Sequence, residues 1–386
     1  MAMTKAITRI QIPAKSGLDT AEQLIARIAE EQFDSEVVAL LPTTFRRDIF
    51  ADVWAAIALG TLCRARPDTA AIARGVSNRS TFSDKTFTTT PPGLVATFLA
   101  NEVRAETSSP TLLDTGPAKT WIEYDCQGLL LGEEEGAGAT RTLVEFSDHR
   151  ALALTALRPP SRRKGALSES VFNQLVLNAR MQLEFWDKKG DDPFGPLSTG
   201  PMACLSEFLR ELFENANQHG RNARSDKQLR FLRFRKIIDG RDRLIQRAGS
   251  HFPALAHHVE NVLENDDTDG FLEVTVSDFG HGILGHFLSS PAGKKYAAAK
   301  PRDVMQRLLY GNLSSKSQDT AAGQGIVNAL TAAQRLGAFV SLRTADSWFA
   351  KSYSTDPQTF MLEHVASEQL APAAGTHWQL LWKIPR

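Results

Sequence analysis

Apolar residues alternate with polar ones from Ile7 to Ile12, recur at helical spacing from Leu18 to Phe33 through Leu24, Ile25 and Ile28, and run together from Val37 to Leu41. Alternation marks a half-buried strand, recurrence every three to four residues a helix, and a short continuous run a buried strand. The chain therefore opens strand, helix, strand. Phe45 to Leu62 is again helical, with Ile49, Val53, Ile57 and Leu62 on or near one face, and the pattern weakens into Ser/Thr/Pro-rich sequence around Thr88 to Pro92. Trp121 to Leu131 and Thr140 to Phe146 read as two strands around the turn-like stretch Gly132 to Gly138, and Ala151 to Leu157 as a third. Residues 1–157 thus form a smaller mixed α/β domain, and Arg158 to Gly165, with two prolines and four cations, is the linker to a second domain over 166–386.

The second domain begins with a helix over Glu169 to Trp186, carried by Val171, Leu175, Met181 and Phe185, and a loop rich in Gly, Pro and Asp from Lys189 to Gly200. Leu205 to Gly220 is an amphipathic helix whose apolar face is Leu205, Phe208, Leu209, Leu212, Phe213 and Ala216, ended by Gly220. Strands are expected near Leu229 to Ile238, Leu272 to Ser277, Phe339 to Thr344, Thr359 to His364 and His377 to Ile384, with one helix from Arg243 to Leu263.

Composition narrows the class. The 386 residues are 42% hydrophobic, and 44 Lys plus Arg balance 44 Asp plus Glu. That is enough apolar material for real cores, so wholesale disorder is excluded, and a formal charge of zero argues against a protein that coats nucleic acid or anionic membrane. Cys63, Cys126 and Cys204 stand far apart, with neither a disulfide framework nor a CxxC metal pair. The first residues lack an apolar stretch of signal-peptide length and no run suffices to span a bilayer, so a cytoplasmic protein without a membrane partner is expected.

Candidate chemistry lies in four places. On the Leu205 helix, Glu211, Asn215 and His219 follow at i, i+4 and i+8, so a carboxylate, an amide and an imidazole line one stripe. Magnesium on phosphate oxygens needs only one or two protein oxygens, and a carboxylate one turn away can orient and deprotonate water. Taken alone, such a stripe is most often a solvated face. Downstream, the β-branched strand LEVTVS runs into Asp278-Phe-Gly280-His-Gly282-Ile283, where two glycines let the backbone turn tightly and present the carboxylate to a ring amino group. Third, Ser314 to Leu330 places hydroxyls, among them Ser315, and Lys316 before Gly323-Gln-Gly325, which opens an apolar helix at Ile326. Backbone N–H groups at such a helix start are an anion seat. Fourth, Gly375-Thr376 leads into the strand His377 to Ile384, a small residue and a hydroxyl suited to close approach to a ring or ribose.

The order ELFENANQH, DFGHG, GQG, GT resembles the GHKL ATPases, the Bergerat-fold group of gyrase subunits, mismatch-repair proteins, heat-shock chaperones and histidine kinases. The resemblance covers roughly Ala166 to Arg386. It implies an α/β sandwich, a mixed sheet with one helical layer and an ATP lid, with ATP and magnesium as cofactors. In its terms Glu211 is similar to the general base and Asn215 to the magnesium ligand, and Asp278 to the carboxylate that reads the adenine amino group. Gly280 and Gly282 resemble the adenine-side turn, Gly323 and Gly325 the glycines that touch phosphate under a lid over Leu284 to Ala322, and Thr376 the hydroxyl near the base. The chain departs from the family's pattern in lacking the last lid glycine, GQGIVNA standing where GxGLG is common, and in a long stretch between His219 and Asp278. His281, inside the turn, has no role that the pattern assigns.

The resemblance implies an ATP-binding, ATP-hydrolysing nucleotide switch, since Glu at the position of Glu211 is typical of members that split ATP. The alternative is a regulatory binding module or protein kinase that uses the same site to control a partner protein. His149 is the only histidine before His219, and its surroundings alternate like a strand instead of a phosphoacceptor helix. A protein partner is expected through the N-terminal domain or the 221–270 insertion, and a homodimer is a further expectation. His251, His257 and His258 read as surface residues of the inserted helix, and Arg230 to Lys236 as a strand with one solvated polar face instead of a nucleic-acid surface.

Overall fold

The computed structural model describes residues 7–12, 18–31, 35–43, 48–74, 89–106, 111–132, 139–147, 154–155, 168–183, 200–219, 227–249, 252–265, 268–310, 313, 324–365 and 370–385. Strands β1 (Ile7–Gln11), β2 (Glu36–Leu41), β3 (Ala70–Ala73) and β4 (Glu102–Ala105) alternate with helices α1 (Leu18–Glu30), α2 (Ala51–Ala65) and α3 (Pro91–Leu99). A helix between successive strands lets them run the same way. The four strands pair in parallel in chain order, and β5 (Thr111–Leu112) adds antiparallel at the edge.

Helix α3 lies where the apolar pattern weakens. Thr90 caps it, its Oγ1 accepting from the Gly93 N–H at 3.3 Å, and Pro91 and Pro92 fill the first turn, where a missing N–H leaves no bond unmade. Helix α2 is buried from Ala51 to Cys63, as a helix enclosed between two layers must be. Helix α4 (Gly116–Leu131) corrects the strand expected over Trp121 to Leu131. Its buried residues Ala118, Ile122, Cys126 and Leu129 are spaced four, four and three apart, a helical stripe that the aromatic and aliphatic content disguised.

The second sheet contains β6 (Thr140–Ser147), β7 (Leu154–Thr155), β8 (Gln228–Ile238), β9 (Thr268–Asp278), β10 (Phe339–Ala345), β11 (Ser347–Ser352), β12 (Glu363–His364) and β13 (Ala373–Pro385). Their order is β12-β11-β10-β13-β9-β8-β6-β7, so β13 lies between β10 and β9. Every pair is antiparallel. The mixed sheet expected for 166–386 is therefore antiparallel in its described strands; the mixed sheet is the N-terminal one. Strands β6 and β7, from the first 157 residues, join the second sheet. The linker Arg158 to Gly165 and His149 lie outside the described residues. The expected strand Thr359 to His364 is paired only over Glu363–His364.

The intervening helices are α5 (Glu169–Leu183), α6 (Pro201–His219), α7 (Arg241–Ala248), α8 (Pro253–Asn265), α9 (Gly282–Ser289), α10 (Pro301–Leu309) and α11 (Gln324–Arg335). The single helix expected over Arg243 to Leu263 is two, broken at Gly249 (φ 65°). Of the lid segment Leu284 to Ala322, α9, a 3-10 turn at Lys294–Tyr296 and α10 are described.

Strand register divides the second sheet into two unlike faces. One carries Leu232, Phe234, Val274, Val276, Trp378, Leu380 and Leu342, and ends in Arg230 and Asp278. It meets the layer of α5 and α6, where Phe172 and Phe213 cross edge to face, and α11 packs on α6. The other face carries Arg233, Arg235, Glu273, Thr275, Ser277, His377, Gln379, Ser341 and Arg343, all buried. This corrects the solvated face expected for Arg230 to Lys236, because α1, α2 and α8 cover it. Asp52 of α2 takes a bidentate bond from Arg233 at 3.0 and 2.7 Å, and Arg233 and Arg235 both pair with Glu273. Glu22 of α1 takes a second bidentate bond from Arg343 at 2.7 and 2.9 Å. Burial opposes ionisation of Asp52, yet the attraction of Arg233 and Arg235 outweighs it and holds Asp52 below the ordinary carboxylate range.

Phe50, at the start of α2, is left-handed (φ 61°), a conformation that costs a non-glycine residue about 1–3 kcal/mol. Its N–H bonds Glu273 at 2.8 Å, which ties the helix start to the sheet. His258, expected at the surface, is buried, its Nδ1 within 3.0 and 2.9 Å of the Ser352 and Ser354 hydroxyls. Burial drives its pKa down to about 3. One apolar core runs continuously from Ile10 to Ile384. Among the described residues no helix is long and apolar enough to cross a membrane.

Candidate functional site

Asp278 ends β9 with its neighbours already paired, opposite Arg230 on β8 and Thr376 on β13. Because the strand stops there, the backbone folds back and the Gly280 N–H donates to the Asp278 Oδ1 at 2.9 Å. The side chain is 2% exposed. Burial pushes its pKa up to about 6, against the Gly280 N–H, the Thr376 hydroxyl, Arg230 and Arg64, which favour the charged form. At neutral pH the carboxylate is mostly ionised, yet poorly solvated.

Two glycines make the turn possible. Gly282 (φ 69°) sits where a methyl group would lie 2.6 Å from the Gly375 carbonyl and 2.7 Å from the Thr344 Oγ1, and Gly375 (φ 88°) where one would overlap the carbonyl of Asp278. Side chains at either position would separate the two loops. Their proximity lets the Ile283 N–H donate to the Thr376 Oγ1 at 3.1 Å, and the Thr344 hydroxyl to the Gly375 carbonyl at 3.0 Å. Asp278, Gly280, Gly282, Ile283 and Thr376, nearly a hundred residues apart at their extremes, thus form one compact corner at the sheet's end.

A second group lies on α6. Glu211 and Asn215 are one turn apart, and a methyl group on Gly325 would lie 2.7 Å from the Glu211 Oε2 and 3.3 Å from the Asn215 Nδ2. The start of α11 therefore touches both residues. Glu211 pairs with its neighbour Arg210, and its carboxylate remains partly exposed. Among the described residues the Asn215 Nδ2 is buried without a hydrogen-bond partner. Ile326 packs at the edge of the core. His219 closes α6, but its side chain lies outside the described residues, as do Ser315, Lys316 and Gly323 entirely.

Arg230 connects the two groups. Its guanidinium stacks on the Phe213 ring of α6 at 4.6 Å, pairs with Glu145 of β6 and stands beside Asp278 in the register. Burial lowers its pKa to about 9, opposed by Asp278, so it remains a cation at neutral pH. Sequence reasoning passed over Arg230, Thr344 and Arg64. Arg230 was visible only as one cation of an alternating strand, and nothing local distinguishes the other two.

No protein-family model matches the chain, and no curated protein matches it.

Proposed function

We propose that the chain binds ATP with magnesium and hydrolyses it, using nucleotide occupancy as a conformational switch. One observation carries this reading: four separate segments build a buried, mostly ionised carboxylate with a hydroxyl and two tight glycine turns, and a carboxylate–amide pair against a helix start. The ionised Asp278 would accept from an adenine amino group, and Thr376 would lie beside it.

The Asn215 carboxamide fits a magnesium ligand, because among the described residues its Nδ2 makes no hydrogen bond that turning the oxygen toward the ion would break. When bound, magnesium would neutralise charge on the phosphates. Glu211 would orient a water whose oxygen attacks the γ-phosphorus while the bond to the β–γ bridging oxygen breaks. The water's proton passes to the Glu211 carboxylate, and ADP and phosphate leave. Arg210, paired with Glu211, would hold that carboxylate in place.

Phosphate release from magnesium ATP, with binding measured in parallel, tests the reading. The wild type is expected to bind and release phosphate, and Glu211→Ala to bind but release at least about a hundredfold more slowly, the usual scale of a lost general base. Binding with no release in either protein, with label transferred to another protein, would replace hydrolysis with phosphotransfer. Absence of binding would end the reading.

A further inference from the structure

Helix α2 belongs to the N-terminal unit, yet its last turns touch both loops of the Asp278 corner. Gly60 abuts the Phe279 ring so closely that a methyl group there would overlap it. One turn on, the Arg64 Nε donates to the Phe279 carbonyl at 2.5 Å, beside Asp278. Between them, the Thr61 Oγ1 accepts from the Ala374 N–H at 3.0 Å, next to Gly375-Thr376, while its own proton goes to the Ile57 carbonyl at 2.8 Å. Phe279, between Asp278 and Gly280, also packs against His377 and Phe231. The helix thus holds the residue after the carboxylate and the residue before the glycine-threonine pair at once.

We propose that Arg64 and Thr61 are positioning residues for the nucleotide corner, and that α2 carries its occupancy into the N-terminal unit. The inference rests on the ATP reading of the corner and adds the route by which a bound base is felt elsewhere. The set of the two loops fixes where the Asp278 carboxylate and the Thr376 hydroxyl stand to meet a base, and the α2 side chains hold both loops by backbone atoms of the loops, which cannot rotate away as a side chain can. The opposite end of the same helix is fixed by Asp52 to Arg233 and by the Phe50 N–H to Glu273. A shift at Phe279 therefore moves α2 against fixed points instead of dissipating in a loop. Coupling of this kind is reciprocal: what α2 does to nucleotide affinity, nucleotide does to α2.

The test uses the full chain. Affinities for ATP and GTP with magnesium are measured calorimetrically for wild type, Arg64→Ala, Arg64→Lys and Thr61→Val, and amide exchange across residues 57–65 is followed with and without ATP. We expect Arg64→Ala to bind ATP about tenfold more weakly and Thr61→Val about fivefold, within the usual range of coupling between sites. The preference for ATP over GTP should shrink in both, Arg64→Lys should recover part of it, and ATP should slow exchange in α2 of the wild type. A merely structural role would lower melting temperature without changing base preference. Should Arg64→Ala fail to fold, Thr61→Val and Arg64→Lys carry the test. Wild-type binding that protects residues 279–283 but leaves α2 exchange and the variants' affinities unchanged would overturn the coupling and spare the site. No ATP binding by the wild type would overturn both.

Discussion

The two faces of the eight-stranded sheet are made by the same strands and obey different rules. On the α6 side, Leu232, Val274, Val276, Trp378 and Leu380 pack against helices, and polar chemistry is confined to the strand ends, where Arg230 and Asp278 sit. On the α2 side, the intervening residues are Arg233, Glu273, Thr275, Ser277, His377 and Gln379, also sealed from water. Apolar contact tolerates small adjustments, whereas buried charge stabilises only in the right geometry with the right partner. The α6 face can therefore adjust at its edge, while the α2 face fixes the N-terminal unit in one place.

The strongest way to break that contrast is to unbalance the charged face. Asp52→Ala leaves Arg233 and Arg235 sharing Glu273, and a broken buried pair typically costs about 3–5 kcal/mol. Urea titration should show a loss of that order, and a change within error would mean that the cluster is solvated in solution. At the end of the other face, Asp278→Asn should cost little stability but weaken ATP binding about a hundredfold, the value of a hydrogen bond to a charged group. Unchanged affinity by calorimetry would remove Asp278 from the site.

The smallest effect sharpens the contrast through pH. Asp278 has its pKa raised to about 6, so its contribution to stability is complete below about pH 4 and fades as pH rises through 6. ATP binding, which uses the ionised form, should tighten over the same rise, and the Asp278→Asn profile should be flat. His377 and His258 behave oppositely. Burial lowers both to about 3, against the carbonyl of Ala374 for His377, so their contribution is present above about pH 6.5 and lost as pH falls toward 3. Each should cost on the order of 2 kcal/mol by pH 5, read as a falling midpoint in urea. In Asp278→Asn, which removes the opposing acid, stability that does not fall on acidification would mean these rings are hydrated.

How much of this the sequence disclosed follows from the range of each cause. Strands β8, β9, β10 and β13 and helices α5 and α6 were legible because their periodicity is local and long. The corner residues were legible because glycines and an acid at fixed spacing leave a local mark. Helix α4 was misread because Trp121, Ile122 and Tyr124 favour strands by type while the four-residue spacing of Ala118, Ile122 and Cys126 favours a helix. The charged face could not be read at all. The partner of Arg233 is Asp52, 181 positions earlier, and an arginine whose carboxylate arrives from another unit looks from its neighbours like one facing water. Thr90-Pro91-Pro92 could have revealed α3, since a hydroxyl followed by prolines is a helix start.

The place of β13 between β10 and β9 bears on how the chain is made. Some 320 residues separate the end of α2 from the end of β13, so at ribosomal speeds of about 5–20 residues per second that helix waits roughly 15–60 s for the middle of its roof. During the wait its apolar sides and its aspartate have nowhere to go, and the neighbours of the missing strand present open edges. Synthesis thus asks the nascent chain to stay loose and protected until its centre strand arrives, and the whole molecule to assemble afterwards in one cooperative event.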